Sequence, residues 1–141
     1  MTEIIRISPG NVWSDPEFPF SQAVVEPSGR RVHLTGQVAW DAEGRIVGPG
    51  DPGLQTEMAI DNIEAILGAL GGRLEDIVST TMYYVRDRDL PAIQQVRTKR
   101  FSKQHGPATT GIKVVGLVDP DLLIELTAIA VIPEDRFHSP S

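Results

Sequence analysis

The chain contains no cysteine among its 141 residues. A disulfide framework, a thiolate metal site and a cysteine nucleophile are therefore all excluded. No apolar run approaches the ~18 residues that a membrane-crossing helix needs. Basic charge is in short supply, with 13 Lys and Arg against 19 Asp and Glu and a formal net charge of −6. That balance argues against a nucleic-acid binder, because affinity for a phosphate backbone rests mainly on basic charge. The three histidines, His33, His105 and His138, show neither H-x-x-x-H nor H-x-H spacing, so no metal motif is present and no pair is available for acid–base cleavage of RNA. Internal repeats and low-complexity tracts are also missing. The opening Met1-Thr2-Glu3-Ile4-Ile5-Arg6 lacks a basic segment followed by an apolar one, so no signal peptide is expected and the expected location is the cytoplasm.

What is present fits one domain, expected over residues 1–132, with a polar, flexible tail over 133–141 that carries Pro133 and Pro140. Ile4 to Ile7 suggests a first short strand, ended by the turn residues Ser8-Pro9-Gly10-Asn11. Phe20 to Val25 and Arg31 to Thr35 read as two further strands around Pro27-Ser28-Gly29, together a hairpin. A Gly- and Pro-rich loop over 48–53 leads to a helix with Asp51-Pro52 at its start and Gly71-Gly72 at its stop. Leu54, Met58, Ile63, Ile66, Leu67 and Leu70 are its expected apolar face. A β-branched and aromatic strand over Ile77 to Val85 follows. A second helix is expected from Leu90 to Gln104, with Leu90, Ile93, Val96 and Phe101 inward. Strands over Thr110 to Leu117 and Leu123 to Ile132 complete the order β-β-β-α-β-α-β-β.

That order predicts an α+β sandwich, with two helices on one face of a single mixed sheet. In the last strand Ile124, Leu126, Ala128 and Ala130 share one face, while Glu125, Thr127, Ile129 and Val131 share the other. Both faces are partly apolar and no second helical layer exists. The uncovered face is therefore expected to meet another copy of the chain.

Six segments, in order, resemble the RidA/YjgF family of reactive-imine deaminase-like proteins. They are Phe20-Ser21-Gln22-Ala23-Val24, Leu34-Thr35-Gly36-Gln37-Val38, Gln55 with Asn62-Ile63 and Leu67, Leu74 to Val78 with Thr80-Thr81-Met82-Tyr83, Gly106-Pro107-Ala108-Thr109-Thr110, and Leu123 to Ala130. The resemblance implies a chorismate-mutase-like fold, a homotrimer, small-molecule clefts between subunits, and no cofactor or metal. It also implies hydrolysis of an imine or enamine to a carbonyl compound and ammonia. An arginine fork would hold a substrate carboxylate, and a carboxylate would position the water.

The chain departs from the family pattern at the pocket. Thr109 stands where the resemblance puts the carboxylate-holding arginine, a change worth on the order of 2–5 kcal/mol of binding for a buried pair. Thr127 stands at the family's glutamate, Phe20 at its tyrosine, Gln94 at its asparagine and Thr35 at its serine. The expected substrate-binding set is Phe20, Thr35, Gly36, Gln37, Gln94, Thr109, Thr110 and Thr127. Glu125, two residues before Thr127 on the same strand face, is either a displaced catalytic carboxylate or a structural ion-pair partner. Arg97 and Arg100 could supply a cation, but with Lys99 and Lys103 they read as a solvated basic helix face. Trp13 and Trp40 read as packing residues, Trp40 with a possible place at the border of the cleft. The expected reaction is deamination of an atypical imine or enamine, and the alternative is a metabolite-binding trimer without catalysis.

Overall fold

A computed structural model of the chain describes residues 3–140, so Met1, Thr2 and Ser141 of the expected domain and tail lie outside the described residues. The strands are β1 (Ile5–Ile7), β2 (Ala23–Val25), β3 (Arg30–His33), β4 (Ile77–Tyr84), β5 (Ala108–Lys113) and β6 (Ile124–Ile132). The helices are α1 (Pro52–Gly68) and α2 (Leu90–Arg100). The element order is the one expected from sequence.

β6 organises the molecule, because buried and half-buried residues alternate from Ile124 to Ala130 before Val131 and Ile132 are both buried. Ile124, Leu126, Ala128 and Ala130 are buried with Met82 of β4 against Ala59, Ile60, Ile63 and Leu67 of α1 and Ile93 and Val96 of α2. Both helices therefore cover the same sheet face. The sheet order is β3-β6-β4-β5, with β4 antiparallel to β6 and parallel to β5. Glu125 and Thr127 lie opposite Tyr83 and Thr81 on the face turned away from the helices. That face carries half-buried Thr81, Tyr83, Thr127 and Ile129 and exposed Thr110 and Ile112.

Two expectations are corrected. β2 and β3 form no hairpin: β2 pairs with β1, and β3 pairs with β6. The turn between them crosses the end of β6 instead of reversing. Gly29, at φ 151°, passes so near the Ile132 carbonyl that a Cβ there would sit 2.5 Å from its oxygen. The expected single mixed sheet is thereby divided into a four-stranded sheet and a two-stranded annex, which a parallel bridge between Ser21 and Ala108 connects.

Helix α1 begins as its sequence indicates, with the Asp51 carboxylate accepting a bond from the Leu54 N–H at 3.0 Å. It closes through the Gly72 N–H donating to the Leu67 carbonyl at 2.8 Å, with Gly71 at φ 83°. Its inward face differs from the expected one. Leu54 and Ile66 are exposed, whereas Gln55 and Thr56 are buried. Burial of those two polar residues is possible because both are hydrogen-bonded, Thr56 to the Pro52 carbonyl at 2.7 Å. Met58 joins a smaller cluster with Val38, Ala39 and Leu122. Arg100 of α2 fastens the two helices by reaching Glu57 at 3.0 Å, Asp61 at 2.9 Å and Glu64 at 3.3 Å.

The segment after β6, expected to be loose, is tied down through residue 138. Arg136 donates to both Asp76 carboxylate oxygens at 2.6 and 3.0 Å and to the Gly71 carbonyl at 2.9 Å. The His138 N–H donates to the Leu70 carbonyl, and Arg30 lies 4.3 Å from the centre of the Phe137 ring.

Candidate functional site

The site is built where α2 passes over the edge of the sheet. The Ser21 N–H donates to the Pro107 carbonyl at 3.1 Å, and the Ser21 hydroxyl donates to the Gly106 carbonyl at 2.7 Å. This seats Phe20 against the start of β5. The fit is close: a Cβ on Gly106 would lie 2.6 Å from the Phe20 nitrogen. Thr109 and Gly111 pair with Thr80 and Met82, so they share the sheet face that looks toward α2. The Thr109 hydroxyl donates to the Pro107 carbonyl at 3.0 Å. From α2, one turn apart, come Gln94 and Arg97.

These residues enclose a cavity of about 350 Å³ lined by Trp13, Phe18, Phe20, Gln22, Met82, Gln94, Arg97, Thr109 and Gly111. The expected Phe20, Gln94 and Thr109 are thus brought together. Trp13, expected as a packing residue, is instead 73% exposed. It stacks on Phe20 with centroids 6.0 Å apart and planes at 26°. The Gln22 amide N–H donates to the Trp13 carbonyl at 2.7 Å, and Lys103 donates to the Asp15 carbonyl at 2.6 Å while sitting 4.9 Å from the Phe20 ring centre.

Arg97 overturns its sequence reading. It is 5% exposed, not part of a solvated face. Its Nη1 donates to the Gln94 side-chain oxygen at 2.7 Å and approaches the Met82 sulfur at 4.0 Å. Among the described residues no carboxylate pairs with it. Burial pulls its pKa down to about 10, which still leaves it cationic at neutral pH. Arg100, one turn further on, is occupied by the three carboxylates of α1.

The remaining expected residues lie elsewhere. Leu34 and Gln37 bond to Ala128 and Leu126, so three steps on one strand match two on the other. The extra residue makes a bulge at Thr35-Gly36. A Cβ on Gly36 would run into the Glu125 carboxylate, which explains glycine there. Thr35, Gly36 and Gln37 line a second depression of about 470 Å³ with Trp40, Met58 and Asn62. Glu125 forms no ion pair or hydrogen bond among the described residues. Thr127 accepts from the Thr81 N–H at 3.1 Å, and Thr110 is exposed on the same sheet face. Glu125, Thr110 and Thr127 therefore open away from the Arg97 cavity within one chain.

Two residues of the resembling segments hold the scaffold. Gln55, fully buried, donates to the carbonyls of Gly48 and Asp121 at 3.1 and 2.9 Å and accepts from the Leu123 N–H at 2.8 Å. Asn62 donates to the carbonyls of Val38 and Trp40 at 3.1 and 3.0 Å. Arg97 and Trp13, with Phe18, Gln22, Met82 and Gly111, line the cavity without belonging to the expected set. Arg97 carried a signal: at four residues after Ile93 and seven after Leu90 it falls inside the apolar stripe of α2.

Comparison with known proteins agrees with this architecture. The family model described as Endoribonuclease L-PSP matches residues 13–132. A RutC family protein of Pyrococcus abyssi is 35% identical over 82% of this chain and 87% of its own length. The 3-aminoacrylate deaminase RutC of Acinetobacter baylyi is 34% identical over 70% of this chain and 77% of its own. The crystal structure of YyfB, a protein of the Rid family from Yersinia pestis, superposes with a TM-score of 0.81 at 34% identity, covering 92% of this chain and 98% of that one.

Proposed function

This chain belongs to the RidA/YjgF family, and on that footing we propose that it hydrolyses a small imine or enamine in a cleft completed by a neighbouring subunit. One observation carries the reading: Phe20, Gln94 and Thr109, far apart in sequence, line one cavity in a chain similar to a named deaminase. In the reaction, water adds to the carbon of a protonated imine, a proton moves from oxygen to nitrogen, and the C–N bond breaks to leave a carbonyl group and ammonia. An enamine is first protonated on carbon. The protein's work is to orient the imine carbon, hold the substrate and place the water.

Glu125 is the candidate for placing the water. It opens on the sheet face opposite the cavity and has no partner among the described residues, so a second copy would bring it to the first copy's cleft. A homotrimer pressing that face against its neighbours fits this requirement. The proposed location is the cytoplasm, and no helix of the described residues is long and apolar enough to cross a membrane. RNA cleavage is disfavoured by the net charge of −6.

The test is ammonia release from imines generated freshly by an amino-acid oxidase, with wild type beside Glu125→Ala and Thr109→Arg. The expected result is acceleration by the wild type, a loss of tenfold or more in Glu125→Ala, and a gain for small carboxylated imines in Thr109→Arg. No acceleration across the panel would sink the reading. The engaged Thr109 hydroxyl favours a second reading, a metabolite-binding trimer without turnover, which predicts ligand-raised melting temperatures and no ammonia.

A further inference from the structure

Among the described residues, Arg97 is the one strongly buried cation without a counter-charge. Six other arginines, Arg31, Arg45, Arg73, Arg86, Arg100 and Arg136, each reach a carboxylate within the chain. Arg97 reaches only a neutral amide oxygen and a thioether sulfur. Charged side chains are almost never this deeply buried unless paired, because the desolvation penalty is then uncompensated. The fork presents five donors in one plane, and one of its nitrogens is held by Gln94. Its remaining donors have no protein partner among the described residues, and the residue forms part of the cavity wall.

One side of the wall is apolar and flat, and Gln22, Gln94 and Thr109 make up the polar remainder. Phe20 and Trp13 are stacked, Phe18 stands beside them, and Met82 offers sulfur, which favours aromatic rings. A three-carbon acid held at Arg97 would leave the stacked Trp13 and Phe20 rings uncovered.

We propose that Arg97 is the anion-anchoring residue of this cavity and that its ligand is a monocarboxylate bearing a flat apolar group of about aryl size. The carboxylate takes the free side of the guanidinium fork in bidentate fashion. The apolar body lies along Phe20 and Trp13, and Gln94 holds the fork in place. Thr109 then has no carboxylate to bind, because the anchor has moved from β5 to α2. The inference deepens the proposed function, since it concerns the same cavity, but it requires binding only and not turnover.

Calorimetry with three probes tests it: 3-phenylpropanoate, the uncharged 3-phenylpropanamide, and propanoate. The wild type should bind the aryl acid about 30-fold more tightly than the amide, the range expected for hydrogen bonds to a charged group. Propanoate should bind more weakly than the aryl acid. Arg97→Met should erase the preference for acid over amide, the acid losing about 30-fold more affinity than the amide, whose carbonyl also accepts from the fork. Should Arg97→Met fail to fold, Arg97→Lys keeps the charge and loses the fork; the acid should then weaken about fivefold and the amide not at all. Equal binding of acid and amide by the wild type, or a preference that survives Arg97→Met, would overturn the anchor. Propanoate binding as tightly as the aryl acid would overturn the aryl pocket, and no binding of any probe would overturn both. A protein that binds the aryl acid yet releases no ammonia in the imine assay loses the deaminase reading and keeps this one.

Discussion

Replacing Arg97 with methionine should make the unliganded protein more stable. Burial drags the guanidinium pKa down to about 10, and at about 1.4 kcal/mol per tenfold change in proton affinity that is a penalty on the order of 2–4 kcal/mol. Methionine of similar length removes the charge and lies against Met82. The lost bond to Gln94 costs about 0.5–1.5 kcal/mol in return. The net expectation is a gain of about 1–3 kcal/mol. Urea unfolding followed by circular dichroism, at one protomer concentration for both proteins, should show the midpoint rising by about 0.5–1 M. The pH dependence has a definite sign. The folded-state pKa lies below the unfolded one, so the unfolded chain holds more protons once the pH passes about 10, and the Arg97 penalty is relieved as pH rises beyond that point. Below it the penalty is complete and constant, so the gap between the two proteins should be equal at about pH 6 and pH 9. An Arg97→Met protein less stable than wild type would refute the reasoning, because the charge would then be compensated in the apo state.

Gln55→Leu removes three hydrogen bonds and strands the Leu123 N–H in the interior; a loss of about 3 kcal/mol and a fall of about 10 °C in a thermal melt are expected. Gly36→Ala drives a methyl into the Glu125 carboxylate, whose unpartnered end can swing aside, and should cost about 1 kcal/mol, the low end for overpacking. Adding Glu125→Ala should recover at least half of that, and a double variant no more stable than Gly36→Ala would show that another contact is responsible. Asp76→Asn weakens the fork-to-carboxylate pair with Arg136; trypsin should then cut after Arg136 about tenfold faster, since cleavage follows local opening. An unchanged cleavage rate would mean that the Gly71 and Leu70 carbonyl bonds hold the segment unaided.

Much of the fold was legible because β6 from Ile124 to Ala130 and β4 from Val78 to Tyr83 obey a period of two, and α2 carries its apolar residues at helical spacing. The inward face of α1 was misread because burial there is assigned to Gln55 and Thr56, whose hydrogen bonds go to residues distant in sequence such as Asp121. Periodicity counts apolar residues and cannot see such partners. The false hairpin had a similar origin: Pro27-Ser28-Gly29 has turn chemistry, but the strand that β3 joins lies a hundred residues away. At the site, sequence put Phe20, Gln94 and Thr109 in one group, and the three line one cavity. It set Glu125, Thr110 and Thr127 beside them, although strand alternation turns them the other way. Arg97 was lost to its neighbours, since Lys99, Arg100 and Lys103 made the helix look uniformly basic.

The opposed placement of Arg97 and Glu125 on the two sides of one sheet has a genetic consequence. Under the proposed assembly each copy lends its cavity to one cleft and its carboxylate to another, so it owns neither outright. Two defective alleles, Arg97→Met and Glu125→Ala, would each be silent alone. Co-assembled at random in equal amounts, they would regenerate about a quarter of the clefts intact, wherever a sound cavity meets a sound carboxylate across a subunit boundary.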